Sequence, residues 1–298
     1  MKSKLSGSAS LLLATIIWGS AFVAQSVGMD YIEPFTFQAV RCLLAVIGLI
    51  PVIYIIDKRN GKGFWKGWKN KGLWKGGVLC AIPLFLAINL QQVGLVSTDA
   101  GKSAFLTAMY IVIVPLIGIF LKRKPSPMIP VCVILAVAGL YCLSCIGSEG
   151  FRIGDLCLIL CAFMFAVQIT LVDRYAPGVD SIRMNLIQSL VCAVLSAVLM
   201  LMFEAPNIRT ITMCAVPLCY TGFLSMGAAY SLQIIGQKHL EPTVASLIMS
   251  LESVFAVLFG CLILKETMTG WEIIGCVLVF LSVILSQIPI PVKRRAAQ

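Results

Sequence analysis

The sequence has 298 residues, of which 59% are hydrophobic and only 12% are charged. Soluble domains carry about 25% charged residues, so lipid must solvate part of this apolar surface, and a purely water-soluble domain is excluded. The formal net charge of +10 follows from where the basic residues lie along the chain, as shown below, and does not indicate a nucleic-acid partner.

Apolar segments of about 20 residues recur along the chain, and each can cross a ~30 Å hydrocarbon layer as a helix. Short connections rich in glycine, proline and charge separate them, as in helical hairpins. The first segment exceeds the ~7–15-residue core of a signal peptide, so we expect it to be retained. The ten predicted membrane helices cover residues 8–27, 33–56, 74–95, 98–121, 128–146, 154–174, 181–203, 213–236, 242–264 and 270–290.

Lysine and arginine predict the orientation of these helices. If both termini are cytoplasmic, 18 of the 23 basic residues fall on the cytoplasmic side, and only Arg152, Arg209 and Lys265 fall on the other. The positive-inside rule therefore predicts a multi-pass membrane protein with cytoplasmic termini. The loop 57–73 interleaves tryptophan with lysine, which is typical of segments in the lipid headgroup layer.

The two halves of the chain resemble each other at an offset of about 141–143 residues. The matched positions are Phe22 with Phe165, Gln25 with Gln168, Pro34 with Pro177 and Gln92 with Gln233. Because five helices per half is an odd number, the second half must be inverted relative to the first. Inverted repeats are typical of alternating-access carriers, whose site lies at the repeat interface near mid-membrane. We predict repeats at 8–146 and 153–290 within one membrane domain.

Four of the predicted helices carry short motifs. They are residues 18–22 in the first helix, Pro34, Phe37 and Arg41 in the second, 98–106 with Tyr110 and Pro115 in the fourth, and 242–252 with Phe255 and Ala256 in the ninth. In these motifs the sequence resembles the drug/metabolite transporter superfamily, with two EamA-type repeats over residues 8–289. The resemblance implies a ten-helix exporter of amino acids, nucleosides, other metabolites or drugs.

The sequence departs from the family pattern at three points. Ser253 follows Glu252 in the ninth helix, where the family usually has proline. Lys124 ends the fourth helix, where an acidic residue is common. The first helix lacks the glutamate of the small four-helix multidrug relatives, which argues against proton-coupled transport of cationic drugs.

Ionisable groups inside membrane helices cost ~2.5–3.5 kcal/mol at mid-helix on insertion scales and are therefore candidates for function. Arg41 is predicted ~12 Å below the outer surface and Glu252 ~16 Å above the inner one, so we expect both at one central site, paired directly or through substrate. A zwitterionic substrate would meet Arg41 through its carboxylate and Glu252 through its amine; alternatively, Glu252 carries a proton. Structural roles in helix packing remain alternatives for both residues. Lys102 lies about one turn inside its helix and faces either the cavity or the outer interface.

Amide side chains within a bilayer must find hydrogen-bond partners, either across helix contacts or in a polar cavity. Because the repeats are inverted, we expect Gln25 and Gln92 toward the outer mouth of one pathway, and Gln168 and Gln233 toward the inner mouth. The candidate substrate and cavity residues are Trp18, Gln25, Arg41, Asn89, Gln92, Lys102, Gln168, Gln188, Tyr230, Gln233 and Glu252.

The sequence offers little for enzyme chemistry. His239 is the only histidine and lies in a predicted loop, so no Ser-His-Asp set can form. Cys142 and Cys145 lack the further ligands of a zinc site, and the other cysteines lie singly in apolar segments, as free thiols do. No glycine-rich phosphate loop is present.

These observations together predict a secondary active transporter, working as an exporter of small metabolites such as amino acids by alternating access. We expect no catalytic residues, no cofactor and no metal. The expected partners are a small-molecule substrate and membrane lipids, with monomer and homodimer both open. A membrane-embedded enzyme and a non-transporting membrane subunit are the alternatives.

Overall fold

The computed structural model describes residues 2–61, 63–98, 100–123, 127–144, 152–264 and 269–287, and every regular element in these ranges is helical. The α-helices are α1 (Lys2–Met29), α2 (Pro34–Arg59), α3 (Lys71–Leu95), α4 (Ala100–Ala108), α5 (Tyr110–Phe120), α6 (Ile129–Ser144), α7 (Ile153–Tyr175), α8 (Ser181–Phe203), α9 (Ile208–Met213), α10 (Ala215–Cys219), α11 (Tyr230–Gln237), α12 (Pro242–Met249), α13 (Leu251–Leu264) and α14 (Gly270–Gln287). A 3-10 helix, Phe64–Lys69, precedes α3, and a π-helical segment, Tyr220–Ala229, joins α10 to α11. Lys124, Cys145, Lys265 and the basic residues at 293–295 lie outside the described residues.

Within the described residues, eight helical stretches are long and apolar enough to cross a membrane. They are Ser3–Met29, Pro34–Arg59, Lys71–Leu95, Ala100–Phe120, Ile153–Tyr175, Ser181–Phe203, Ala215–Gln237 and Pro242–Ile263. Two shorter apolar helices, Ile129–Cys142 and Gly270–Ser286, lie where the fifth and tenth membrane helices are predicted. Every predicted segment therefore overlaps a helix. The count of ten crossings stays a prediction, because parts of the fifth and tenth segments lie outside the described residues.

Large apolar side chains cover much of the outer surface, whereas polar groups lie inside. On α2 the exposed side chains Leu43, Ile47, Ile50 and Tyr54 recur every three or four residues, which places them on one face of the helix. The buried polar side chains include Gln25, Gln38, Arg41, Gln92, Gln168 and Glu252. This distribution is the reverse of that in a soluble protein and fits a bundle surrounded by lipid.

The packing of the helices repeats between the two halves. Helix α2 packs against α8, and α6 packs against α14. Helix α3 of the first half packs against α7, and correspondingly the π-helical segment and α11 of the second half pack against α1. In the same way, α4 and α5 pack against α7, and α12 and α13 pack against α1. Two halves related by a pseudo-two-fold axis produce such a pattern, and the inversion of the halves across the membrane stays a prediction.

Two helical stretches are broken at equivalent places. Met109 separates α4 from α5 and Ser250 separates α12 from α13, 141 residues further along the chain. At the second break the Ser250 hydroxyl donates to the Leu247 carbonyl at 2.8 Å, in competition with the helical hydrogen bonds. Broken membrane helices are tolerated where they line a cavity. Tyr110 and Glu252 follow the two breaks within two residues.

Gly19 marks the point where α1 crosses α13 most closely. A Cβ added there would collide with the Phe255 Cβ and lie 2.8 Å from the Ala256 backbone nitrogen. Because backbone atoms cannot move aside, we expect Gly19→Ala to lower the free energy of unfolding by about 1–3 kcal/mol, measured by thermal unfolding in detergent. Gly118→Ala on α5 is the control, since a Cβ there meets nothing within 4 Å. Equal unfolding temperatures for the two variants would contradict close packing at Gly19.

Candidate substrate-binding site

A cavity lies between side chains from both halves of the chain. Its polar lining consists of Gln25, Arg41, Gln91, Ser225, Gln233 and Glu252, and its ring lining consists of Trp18, Phe22, Tyr110, Phe165 and Tyr230. Ile169 and Met249 complete the wall. The cavity therefore combines a guanidinium and a carboxyl group with amides, aromatic rings and a smaller aliphatic part.

Arg41 supplies the positive charge of the cavity from α2. Its side chain is 2% exposed, and its Nη1 donates a hydrogen bond to the Gln25 Oε1 on α1. The Nε is buried without a hydrogen-bond partner among the described residues. Because a neutral amide orients the guanidinium but does not neutralise it, the charge still requires an anionic partner.

Glu252 supplies a carboxyl group from the first turn of α13. The residue is 5% exposed, and its Oε1 accepts a hydrogen bond from the Tyr110 hydroxyl at 2.9 Å. The Tyr110 ring packs against Phe165 at a tilt of 72°. The two broken helices thus meet at the cavity through this hydrogen bond. Arg41 and Glu252 share the cavity but do not form a salt bridge within the described part of the chain.

Several polar atoms of the cavity lining have no hydrogen-bond partner among the described residues. They are the Trp18 Nε1, the Arg41 Nε, the Ser225 Oγ and the Gln233 Oε1. The Trp18 ring packs edge-on against Tyr230 with the ring centroids 5.0 Å apart, so this donor is held in place. Buried polar groups almost always have a partner, and a polar ligand in the cavity would supply one.

The repeated glutamines form two equivalent pairs. In the first half, the Gln92 Nε2 donates to the Gln25 carbonyl at 3.4 Å; in the second, the Gln233 Nε2 donates to the Gln168 Oε1 at 3.1 Å. Gln25 and Gln233 line the cavity, whereas Gln92 and Gln168 are buried outside its lining. Gln188 accepts from the Gln168 Nε2 at 3.3 Å and supports that pair. Access to these pairs from opposite membrane faces stays a prediction.

Two further candidate residues lie at helix contacts. The Asn89 Nδ2 donates to the Phe85 carbonyl at 2.8 Å and to the Ser196 Oγ at 2.9 Å, which joins α3 to α8. Lys102 forms a salt bridge with Asp155 at 2.7 Å, with side chains 13% and 1% exposed. Neither residue is part of the cavity lining.

Asp155, which the sequence reasoning missed, holds the start of α7. Its carboxylate accepts from the Arg152 backbone nitrogen at 2.9 Å and the Thr98 hydroxyl at 3.2 Å, besides the Lys102 ammonium. Asp155→Asn is expected to lower the free energy of unfolding by about 1.5–3 kcal/mol, since the carboxylate accepts charge-assisted hydrogen bonds that a neutral amide makes more weakly. Thermal unfolding would measure this loss. Asparagine still offers an acceptor to Arg152 and Thr98, so a loss no larger than that of Glu33→Gln, at an exposed position, would contradict a clamp based on charge.

Tyr110, Gln91 and Ser225 are cavity residues that the candidate set did not contain. In the sequence, Tyr110 stands out only as part of a motif. In the structure it follows Met109 directly and donates a hydrogen bond to Glu252. Ser225 lies in the π-helical segment, where the wider turn shifts side chains off the regular helical face, and such segments are frequent at functional sites. A sequence pattern with a period of 3.6 residues cannot reveal such a shift.

The sequence matches the model of the EamA-like transporter family twice, over residues 5–145 and 152–287. The chain belongs to the EamA-like transporter family. The two matches together span almost the whole described bundle, and they confirm both the predicted resemblance and the all-helical membrane fold.

Similar proteins carry the same general description. An uncharacterized transporter of Archaeoglobus fulgidus is 32% identical over 281 residues, covering 92% of this chain and 83% of the relative. The uncharacterized transporter YoaV of Bacillus subtilis is 24% identical, covering 90% of this chain and 92% of the relative. One crystal structure shares the fold, with a TM-score of 0.76 at 18% identity over 95% of this chain and 96% of the other. The protein is thus a multi-pass membrane transporter.

Proposed function

We propose that this transporter is a secondary active carrier that exports a small zwitterionic metabolite, such as an amino acid or a related compound. The observation that carries the proposal is that Arg41 and Glu252 line one cavity without a salt bridge to each other. A buried cation and a buried anion each need a compensating group. A ligand with one carboxylate and one ammonium supplies both.

The remaining lining fits a ligand that also has an apolar part. Phe22, Phe165, Ile169 and Met249 form an apolar wall, and the polar atoms without partners belong to Trp18, Arg41, Ser225 and Gln233. Apolar walls with a few placed polar groups are typical of small-molecule sites. In this arrangement the charged groups orient the ligand and the wall selects its side chain.

The repeated architecture supports alternating access as the mechanism of this carrier. The broken helices α4–α5 and α12–α13 and the corresponding contacts of the halves support two related packings of the same bundle, with the site at the interface. The distribution of basic residues favours cytoplasmic termini in the plasma membrane. Since the sequence has no phosphate-binding loop for ATP, an ion or solute gradient would drive transport.

Proteoliposomes that contain the purified protein provide the test. Counterflow of labelled amino acids, nucleosides and organic cations should identify a zwitterion as substrate. A sharper comparison uses that zwitterion, its N-acetyl derivative and its methyl ester, which lack the cation and the anion respectively. We expect each derivative to compete at least about tenfold more weakly, because one buried charge-assisted hydrogen bond contributes about 1.5–3 kcal/mol.

Glu33→Gln serves as the matched control in these measurements, because Glu33 is exposed at the start of α2 and outside the cavity. This variant should transport the zwitterion like the parent protein. Equal competition by the zwitterion and both derivatives, or counterflow of organic cations alone, would overturn the zwitterion proposal. A protein that catalyses no counterflow of any of these classes would overturn the proposed carrier of small metabolites.

A further inference from the structure

A separate groove lies between α5 and α7, toward the end where both helices meet basic residues. It has a volume of about 480 Å³ and is open to the surroundings. Its wall consists of Ile117, Leu121, Val167, Thr170 and Leu171, and Arg123 and Arg174 lie at its rim. We call it the α5–α7 groove.

The α5–α7 groove faces away from the substrate cavity. On α7, Phe165 and Ile169 line the cavity, whereas Val167, Leu171 and Arg174 line the groove. At 3.6 residues per turn these two sets lie on opposite faces of the helix. Since the cavity face of α7 points into the bundle, the groove face points toward the surrounding lipid. The groove is therefore independent of the proposed substrate site.

The backbone at the end of α5 positions Arg123 at the rim. Lys122 has a φ of 60°, a left-handed conformation that usually requires glycine at this place after a helix. Two hydrogen bonds close the turn, from the Lys122 nitrogen to the Ile119 carbonyl and from the Arg123 nitrogen to the Gly118 carbonyl, both at 2.9 Å. The chain thus keeps a lysine in a strained position, and the turn directs Arg123 toward α7.

Both guanidinium groups of the rim are held by α7. The Arg123 Nη1 lies 2.8 Å from the Asp173 Oδ2, and the Arg123 side chain is 45% exposed. The Arg174 guanidinium lies over the Tyr175 ring, 5.9 Å from its centroid. The rim of the groove therefore carries two guanidinium groups, and the carboxylate of Asp173 pairs with that of Arg123.

The dimensions of the groove match one leaflet of a bilayer. Val167 and Arg174 are seven residues apart on α7, which is ~10 Å along the helix, within the ~15 Å of hydrocarbon in one leaflet. Apolar walls thus occupy the depth of acyl chains, and the guanidinium groups lie at headgroup level. We propose that the α5–α7 groove binds an anionic phospholipid, with its phosphate at Arg123 and Arg174 and an acyl chain along the apolar wall. Guanidinium groups bind phosphate through paired hydrogen bonds.

Native mass spectrometry of the full-length protein in neutral detergent tests this site. Phosphatidylglycerol and phosphatidylcholine with the same acyl chains are added separately. We expect phosphatidylglycerol to bind more tightly, and Arg123→Gln combined with Arg174→Gln to weaken it roughly tenfold without changing phosphatidylcholine. Each cation near a membrane surface increases the affinity for an anionic lipid about fivefold. The carboxylate of Asp173 offsets part of this combined increase.

Two variants distinguish binding of the lipid in the groove from non-specific attraction of an anionic lipid to the basic surface. Lys69→Gln with Lys71→Gln removes the same number of charges from exposed positions near the same end and should leave binding unchanged. Leu171→Trp fills the groove with all charges retained and should weaken phosphatidylglycerol binding, so it tests the site even if the arginine variant does not fold. An equal loss in the lysine variant, unchanged binding in Leu171→Trp, or displacement of the lipid by soluble glycerol phosphate would overturn the proposal.

Discussion

Replacing Arg41 by lysine is expected to reduce transport of the zwitterionic substrate by about tenfold to a hundredfold, although the positive charge is retained. A guanidinium can donate to Gln25 and, in parallel, to a ligand carboxylate, whereas an ammonium cannot reproduce this planar fork. The loss corresponds to one charge-assisted hydrogen bond of about 1.5–3 kcal/mol. Initial rates of counterflow over a range of substrate concentrations would measure it.

The same variant should also change selectivity between substrate analogues. The methyl ester lacks the carboxylate that Arg41 is proposed to bind, so the difference between zwitterion and ester should shrink in Arg41→Lys, while the N-acetyl derivative remains a poor competitor. Arg209→Lys, at an exposed position in α9, is the matched control and should transport normally. Unchanged transport and selectivity in a folded Arg41→Lys variant would show that Arg41 is a helix-packing residue.

The membrane helices could be predicted from the sequence because the hydrocarbon layer sets one dominant constraint. A segment of about 20 apolar residues has few alternatives to a spanning helix, and a charge within such a segment, as at Arg41 or Glu252, stands out by its cost. The predicted depths of these two residues agreed within about one turn. Both line the same cavity in the structure.

Other parts of the site depend on tertiary contacts that leave little trace in the sequence. Tyr110 resembles any aromatic residue of a membrane helix until the break at Met109 turns it toward Glu252. Asp155 lies so near the start of its segment that it resembles a loop residue, yet it is 1% exposed and pairs with Lys102. In both cases the partner is more than 50 residues away in the chain, beyond the reach of any local pattern.

Replacing Glu252 by glutamine is expected to abolish the dependence of transport on a pH gradient. Among the described residues that line the cavity, Glu252 is the one carboxylic acid, and it faces the Tyr110 hydroxyl, with Arg41 and Tyr230 in the same lining. A carrier that exchanges its substrate for a proton needs a group that binds each in turn, and a buried carboxyl in the substrate site can do so. Glutamine keeps the shape and the hydrogen bond from Tyr110 but cannot take up a proton.

Proteoliposomes with an imposed pH gradient would measure this effect. When the pH outside the vesicles is lower than the pH inside, the parent protein should export its substrate faster. The gradient should not change transport by Glu252→Gln, which should still catalyse slow exchange. Tyr110→Phe removes the hydrogen-bond donor but keeps the carboxyl, so its transport should still respond to the gradient with a shifted pH profile. Glu33→Gln controls for loss of an acidic residue outside the cavity. A parent protein that ignores the gradient, or a Glu252→Gln variant that still follows it, would show that the proton is carried elsewhere or not at all, and Glu252 would then act on the ammonium group of the substrate alone.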